Sequence, residues 1–310
     1  MTSSRSLLLK RRQLLNLSVM RSIFCAIGIC SFALDLIAQL APDTAAARNA
    51  AATDTEYASV ALEKGMPAAS VDYFADDGVA FAPFAVNGRK YWASRKDFPG
   101  TLIWQPTFAT AARAADLAYT TGPWEMKKKG EEISLAYGHY VTVWKKQPGE
   151  TWRMVLDVGV DHAQPIDPPP ILQILPPDPT AGERPLEQAK RSLQKTMRAL
   201  VESARRNVGK ALLAYASDDI RVYREQSFPA VGLSAARLML GSDNGTVSRE
   251  LSAIRLSDSG DLSVSYGNYS EARGNVGQRG IYVMIWRTDM NGDWKLALDL
   301  QKKIAPTSAH

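Results

Sequence analysis

The chain has few of the side chains used in metal and thiol chemistry. Of its 310 residues, two are cysteine and three are histidine. Both cysteines, Cys25 and Cys30, lie in an apolar run near the start, so a chain cleaved after that run would hold no disulfide and no thiol nucleophile. The sequence also lacks clusters with metal-ligand spacing, a glycine-rich phosphate loop and a Gly-x-Ser-x-Gly elbow. It therefore predicts no metal and no cofactor.

Positive charge is concentrated near the start of the chain. The net charge of +5 comes from 37 basic and 32 acidic residues. Five of the basic and two of the acidic residues lie within residues 1–47, so the remainder carries 32 basic and 30 acidic residues. A nearly neutral body gives no support for a phosphate-tracking surface, and we expect no nucleic-acid partner.

Residues 1–47 have the pattern of a signal peptide. A basic start is followed by an apolar run over residues 23–38 and by small residues at 45–47. This order predicts cleavage near Ala47, a periplasmic or secreted product, and no membrane span after cleavage.

Three alternatives for this leader stay open. The run is short for a membrane span but would serve as an uncleaved anchor. Met20, followed by Arg21, would start a tidier signal. Cys30 is a lipidation candidate, although the residues before it match a lipobox poorly.

Two stretches of 20 residues are versions of one another. GHYVTVWKKQPGETWRMVLD covers residues 138–157 and GIYVMIWRTDMNGDWKLALD covers residues 280–299. Glycine, tyrosine, two tryptophans and aspartate recur at identical offsets: Gly138, Tyr140, Trp144, Trp152 and Asp157 against Gly280, Tyr282, Trp286, Trp294 and Asp299. Each stretch predicts a β-hairpin with a short polar turn. The copies are too far apart for a solenoid repeat of about 20–50 residues, so the sequence predicts a duplicated domain.

Each hairpin ends one of two similar halves of the chain. We predict a first domain at residues 54–160, a proline-rich linker at 161–185 and a second domain at 186–304. Each half reads as helix, short strand, helix and then consecutive antiparallel strands, which is typical of an α+β unit with helices on one face of a curved sheet. The prolines make the linker a semi-rigid spacer or, alternatively, a ligand for another protein's aromatic groove.

Several motifs resemble a known family. FADDGVAFAP, the glycine of VNGRK, DLAYTTGPWE and the first hairpin look like the domain of unknown function 4440 group of the nuclear transport factor 2-like superfamily, which includes SnoaL-like and ketosteroid-isomerase-like proteins. DDIRVYREQSFPAVG and the second hairpin carry the same resemblance more loosely. The resemblance implies two tandem cone-shaped domains, each a curved antiparallel sheet wrapped by N-terminal helices. It also implies a pocket between sheet and helices and dimers formed through the sheets, here within one chain or between chains.

Two residues are candidates for acid–base catalysis. His139 is one of three histidines and is replaced by Ile281 in the second copy, so its position is a core or a pocket wall. Asp157 and its counterpart Asp299 are the acids held at one place in both hairpins. Strand alternation predicts that Asp157 shares a face with Arg153, opposite Trp152, which favours a cross-strand ion pair over a catalytic base.

Aromatic side chains of the first half are candidates for lining a pocket that takes a small apolar or amphipathic molecule. The candidates are Trp92, Trp104, Tyr119, Trp124, Tyr140 and Trp144. The alternative is a packed core, which is favoured for Trp144. Two hypotheses follow: a binding protein or pseudo-dimeric interaction module, or a cofactor-free lyase or isomerase that uses His139 with Asp157 or a tyrosine.

Overall fold

The structure, a computed structural model, describes residues 44–178, 184–241, 243, 245–273 and 276–304. The predicted signal peptide lies outside the described residues except for its last four positions. None of the helices in these ranges is long and apolar enough to cross a membrane.

The first domain begins with helices and continues as a sheet. Its elements are α1 (Ala45–Lys64), α2 (Met66–Tyr73), β1 (Phe74–Phe81), β2 (Ala85–Asn87), α3 (Gly88–Ala93), β3 (Gly100–Trp104), β4 (Phe108–Ala111), β5 (Leu117–Lys128), β6 (Ser134–Lys146), β7 (Trp152–His162) and β8 (Gln173–Leu175). Helix α1 starts nine residues before the predicted domain boundary, and it ends where Gly65 takes a φ of 86°. Pro67 then occupies the first turn of α2, as its fixed φ favours.

The second domain repeats this order. Its elements are α4 (Leu186–Ala204), α5 (Val208–Tyr215), β9 (Ala216–Arg224), β10 (Ala230–Val231), α6 (Leu233–Leu240), β11 (Thr246–Leu256), β12 (Leu262–Arg273), β13 (Val276–Thr288) and β14 (Trp294–Lys303). The first helical segment of this half, which the sequence pattern treats as one helix, is two helices separated by residues 205–207. The side chain of Asn207 caps the second by accepting a hydrogen bond from the Lys210 amide, so the chain restarts there.

Each domain has its own sheet, and both sheets are mixed rather than purely antiparallel. The first runs β2-β1-β7-β6-β5-β4-β8, with β3 also paired to β5, and the second runs β10-β9-β14-β13-β12-β11. The first long strand of each domain pairs in parallel with the last, β1 with β7 and β9 with β14. A further parallel pair forms where the linker contributes β8 beside β4. The architecture is α+β, with two cone domains.

A β-bulge lies at the same place in both hairpins. Val143 pairs with Leu156 while Trp144 pairs with Met154, so Val155 is the additional residue of β7. In the second domain Ile285 pairs with Leu298 while Trp286 pairs with Leu296. The extra residue reverses side-chain alternation beyond it. The predicted grouping of Asp157 with Arg153 is therefore wrong, and Asp157 lies on the inner face that also carries Trp152.

The glycine that opens each hairpin is explained by an aromatic ring that lies against it. A Cβ on Gly138 would be 2.3 Å from the Trp124 ring, and one on Gly280 would be 2.5 Å from the Tyr269 ring. Each would also lie against a carbonyl oxygen of the next strand, 2.1 Å from Val160 O or 2.2 Å from Lys302 O, so a side chain would displace both ring and backbone. The tryptophans of β6 and β13 make equivalent hydrogen bonds. Trp144 Nε1 donates to Thr120 Oγ1 at 2.9 Å, and Trp286 Nε1 donates to Ser265 Oγ at 3.3 Å.

The outer faces of the two sheets share one buried apolar cluster. Valine, leucine and isoleucine side chains from both domains contribute, among them Val141, Val143, Leu156, Val158, Val264, Ile281, Val283, Ile285 and Leu298. Hydrogen bonds cross the same boundary: Tyr223 and Thr121 hydroxyls lie 2.8 Å apart, and Lys302 Nζ donates to Gly159 O at 2.7 Å. The central strands of both sheets are thus buried on both faces.

We predict that Ile281→Ala lowers the free energy of unfolding by about 2–5 kcal/mol, because it leaves a void between the sheets. Ile281 has no exposed surface, whereas Leu238 is 85% exposed. Leu238→Ala is therefore the matched control, with an expected change within about 0.5 kcal/mol. Urea unfolding of both variants makes the measurement, and equal small losses would contradict a shared core.

Candidate functional site

A cavity lies inside the cone of the first domain, between its helices and the inner face of its sheet. Its volume is about 340 Å³. The walls are mostly aromatic and aliphatic, and they come from α1, α2, α3 and β1, β3, β5, β6 and β7: Tyr57, Met66, Ala80, Phe81, Tyr91, Trp92, Phe98, Leu102, Trp104, Trp124, Met126, Tyr140, Thr142, Asp157, Val158, Gly159 and, from the second domain, Lys302. An apolar cavity with a few polar groups is the usual form of a small-molecule site.

Asp157 is the acid of this cavity. The bulge at Val155 turns it inward, where its carboxylate accepts a hydrogen bond from Thr142 Oγ1 at 2.7 Å. Burial raises the pKa of Asp157 to about 6, and the charge of Asp54 acts in the same direction. A carboxyl group with such a pKa changes its protonation state near neutral pH.

A second acid, Asp54, lies behind the cavity wall and has no exposed surface. It accepts hydrogen bonds from Tyr140 Oη at 2.7 Å and from Trp104 Nε1 at 2.9 Å. Burial raises the pKa of Asp54. One carboxyl group on α1 thus orients two aromatic side chains that line the cavity.

Sequence reasoning missed Asp54, although a signal was present. The buried side of α1 follows a helical spacing through Ala47, Ala50, Ala51, Ala58 and Ala61, and position 54 belongs to that series. An acid within an apolar stripe requires a partner, since an unpaired buried polar group is costly.

The counterpart of Asp157 in the second domain has a different environment. Asp299 has no exposed surface and forms ion pairs with Arg224 at 2.6 Å and Arg249 at 3.3 Å. Arg249 also lies 5.2 Å from the centre of the Tyr282 ring. Arginine side chains therefore occupy the space that faces Asp299, whereas Asp157 has no ion pair within the part of the chain that the structure describes.

The second domain also contributes Lys302 to the first cavity. Its ammonium group donates to Gly159 O at 2.7 Å and lies 3.6 Å from Glu225, and its charge lowers the pKa of Asp157 against the larger effect of burial. The cavity is therefore bounded by residues of both domains.

His139 lies on the opposite face of the sheet from Asp157. Its Nδ1 is 2.7 Å from Nε2 of His162, and the centre of its ring is 6.0 Å from that of Tyr223. Burial, and then the nearby His162, lower the pKa of His139 to about 4. His139 lines a second cavity, of about 550 Å³, rather than the cone interior. The structure does not bring the two predicted catalytic residues together.

Four of the six predicted aromatic residues line the first cavity: Trp92, Trp104, Trp124 and Tyr140. The other two lie elsewhere. Tyr119 belongs to the cluster between the sheets, and Trp144 is packed in the first-domain core with its indole bonded to Thr120. Strand alternation places the Tyr119 side chain on the outer face of the sheet. Trp144 is enclosed by the side chains of the first-domain core.

The described residues include no group of three or more histidine, cysteine, aspartate or glutamate side chains arranged to hold a metal ion.

Solved structures that resemble this chain have nuclear transport factor 2-like folds. A ketosteroid isomerase-like protein from Erwinia carotovora atroseptica SCRI1043 is 18% identical over 37% of this chain and 96% of its own, with a TM-score of 0.33. An NTF2-like protein of unknown function from Pseudomonas putida KT2440 is 16% identical over 41% and 93%, also with a TM-score of 0.33. A third, from Shewanella oneidensis MR-1, is 12% identical over 36% and 97%, with a TM-score of 0.30. No protein-family model and no curated protein matches the chain.

We predict that Asp54→Ala destabilises the fold, because the Tyr140 hydroxyl and the Trp104 indole each lose a buried acceptor. Each unsatisfied donor costs about 1–3 kcal/mol. Asp72→Ala removes an exposed acid from the neighbouring helix and is the matched control. Urea unfolding compares the two, and similar small losses would show that Asp54 does not hold the aromatic wall.

The raised pKa of Asp157 predicts a specific pH dependence of stability. Since the folded chain binds this proton more tightly than the unfolded chain, the contribution of the group to stability is largest in acid and is lost as pH rises from about 4 to about 6. Asp157→Asn should remove that loss and stabilise the protein at pH 8 by about 1–3 kcal/mol. The difference between wild-type and variant unfolding free energies across pH isolates this group, and a difference that does not vary with pH would contradict the assignment.

Proposed function

We propose that the first domain binds a small amphipathic molecule in the cavity of its cone. The observation that carries this proposal is a carboxyl group of raised pKa, Asp157, within an otherwise aromatic and aliphatic cavity of about 340 Å³. The second cone has the same fold but opposes its aspartate with two arginines, so the first domain is the binding domain and the second supports it.

The polar groups indicate which part of the ligand is held. Asp157, Thr142 and Lys302 line the cavity together, while Trp92, Phe98 and Leu102 provide apolar wall. A ligand with an apolar body and one hydroxyl or carbonyl group would complement both the polar residues and the apolar wall of the cavity. A carbonyl oxygen would accept from protonated Asp157, and a hydroxyl would donate to the ionised form.

A second candidate function is proton transfer on such a ligand, as in a lyase or isomerase. It is favoured by the pKa of about 6 for Asp157, which suits a general base at neutral pH. Asp157 replaces His139 in this role, because His139 faces the other side of the sheet. Tyr140, a tyrosine of the same cavity, is already bonded to Asp54. The same proposal includes export of the protein and membership of the narrower domain of unknown function 4440 group. It also includes packing of the two domains in place of a homodimer.

Extraction and mass spectrometry of small molecules that co-purify with the full chain test the proposal. We expect the wild-type protein to retain an amphipathic compound, and Leu102→Trp to lose it because the added ring fills the cavity. Leu251→Trp changes a half-exposed leucine on a second-domain strand and is the matched control, so it should retain the compound.

Asp157→Asn separates the two functions. Binding without chemistry predicts recovery of a single compound whose retention falls in the variant. Proton transfer predicts a pair of isomers, or of compounds that differ by water, which the wild type interconverts and the variant does not. A wild-type protein that retains nothing, and whose indole resonances do not shift with a library of small amphipathic compounds, would overturn the proposal.

A further inference from the structure

The second cavity lies at the end of the first-domain sheet, where the proline-rich segment crosses it. Its volume is about 550 Å³. Residues 103–105, 123–125, 137 and 139 form one side, prolines 165 and 168–170 form another, and Phe228 of the second domain completes it. This size is within the range of small-molecule sites, about 300–1,000 Å³.

Aromatic rings dominate the sheet side of this cavity. Trp104, Trp124 and Tyr137 line it together with Phe228, whose ring centre lies 4.5 Å from that of His162. Aromatic faces carry partial negative charge and attract cations placed over them. Phe228 is 49% exposed, so its ring is accessible to a molecule that enters.

The charged residues of the lining are acidic. Glu125 and Asp167 contribute carboxylates, and the lining contains no lysine or arginine. Glu125 accepts a hydrogen bond from Ser134 Oγ, and neither acid has an ion pair within the described part of the chain. Lys127, two residues further along the strand, is itself paired with Glu132. The cavity therefore favours positive charge.

The histidine pair adds an acceptor to this environment. Nδ1 of His162 is 2.6 Å from Ala163 O, so that nitrogen carries the proton and Nε2 accepts from Nδ1–H of His139. Nε2 of His139 is then an unprotonated acceptor on a neutral ring. A neutral histidine does not repel a cation.

We propose that this cavity binds a protonated organic amine, whose ammonium group contacts the aromatic rings, Glu125 and Asp167 and whose apolar part rests against the prolines. The site is separate from the proposed site in the cone, with which it shares only the wall formed by Trp104 and Trp124.

Calorimetric titration of the full chain with phenylethylamine at pH 7 and low salt tests the proposal, with 2-phenylethanol as the neutral compound of similar shape. We expect the amine to bind more tightly than the alcohol and to weaken at high salt. Glu125→Gln and Phe228→Leu should each weaken the amine by about 3- to 10-fold, as loss of one ionic or cation–π contact predicts. Both variants alter partly exposed side chains, and circular dichroism verifies their folding.

Two further variants make the result specific. Glu187→Gln removes an exposed acid at the start of α4, away from the cavity, and should leave amine binding unchanged. Asp157→Asn should also leave it unchanged. Equal affinity for amine and alcohol, no binding of either, or a loss caused by Asp157→Asn but not by Glu125→Gln would overturn the proposal; the last result would assign the amine to the cone instead.

Discussion

The packing of the two sheets against each other is the constraint on which the rest of the molecule depends. Burial of apolar surface is the main favourable contribution to folding, and here it involves the outer faces of both sheets. Each long strand must therefore be apolar on its outer face while its inner face packs against helices. Some polar side chains on these strands cross between the domains, as Thr121 and Tyr223 do, and others, such as Thr142 and Asp157, line the first cavity.

Much of the fold could be predicted from the sequence because it depends on repeated local patterns. The matched glycines and tryptophans specify two hairpins, and the structure explains each by a local contact: a ring against Gly138 and Gly280, and an indole bonded to Thr120 and Ser265. The site could be predicted only in part. Four aromatic residues of the cavity follow from the pattern, but the inward direction of Asp157 depends on one additional residue, Val155. The alternation of apolar and polar residues along the strand does not reveal this bulge, because Val155 and Leu156 are both apolar.

Divergence between the copies distinguishes scaffold from site. Asp157 and Asp299 occupy equivalent positions beyond equivalent bulges, so their backbones do not distinguish them. The difference comes from the strands that face them. Arg224 and Arg249 neutralise Asp299, and two charged side chains fill the space beside it. In the first domain no arginine of the described ranges is paired with Asp157, so burial raises its pKa, and the charge of Lys302 lowers that pKa by less than burial raises it. A second divergence is His139, which in the first domain occupies the position equivalent to Ile281. It lies on the outer face of the sheet and lines a different cavity.

The two cavities should bind their ligands independently, and the reason lies in the wall between them. Energetic coupling requires a shared element with two arrangements. Trp104 is held by a hydrogen bond to buried Asp54, and Trp124 lies against the backbone at Gly138. Each indole is therefore confined to one arrangement by a contact that neither ligand would need to break. A wall confined in this way transmits little of the free energy of binding, so an effect of one site on the other would have to pass through the domain boundary at Lys302 rather than through the tryptophans.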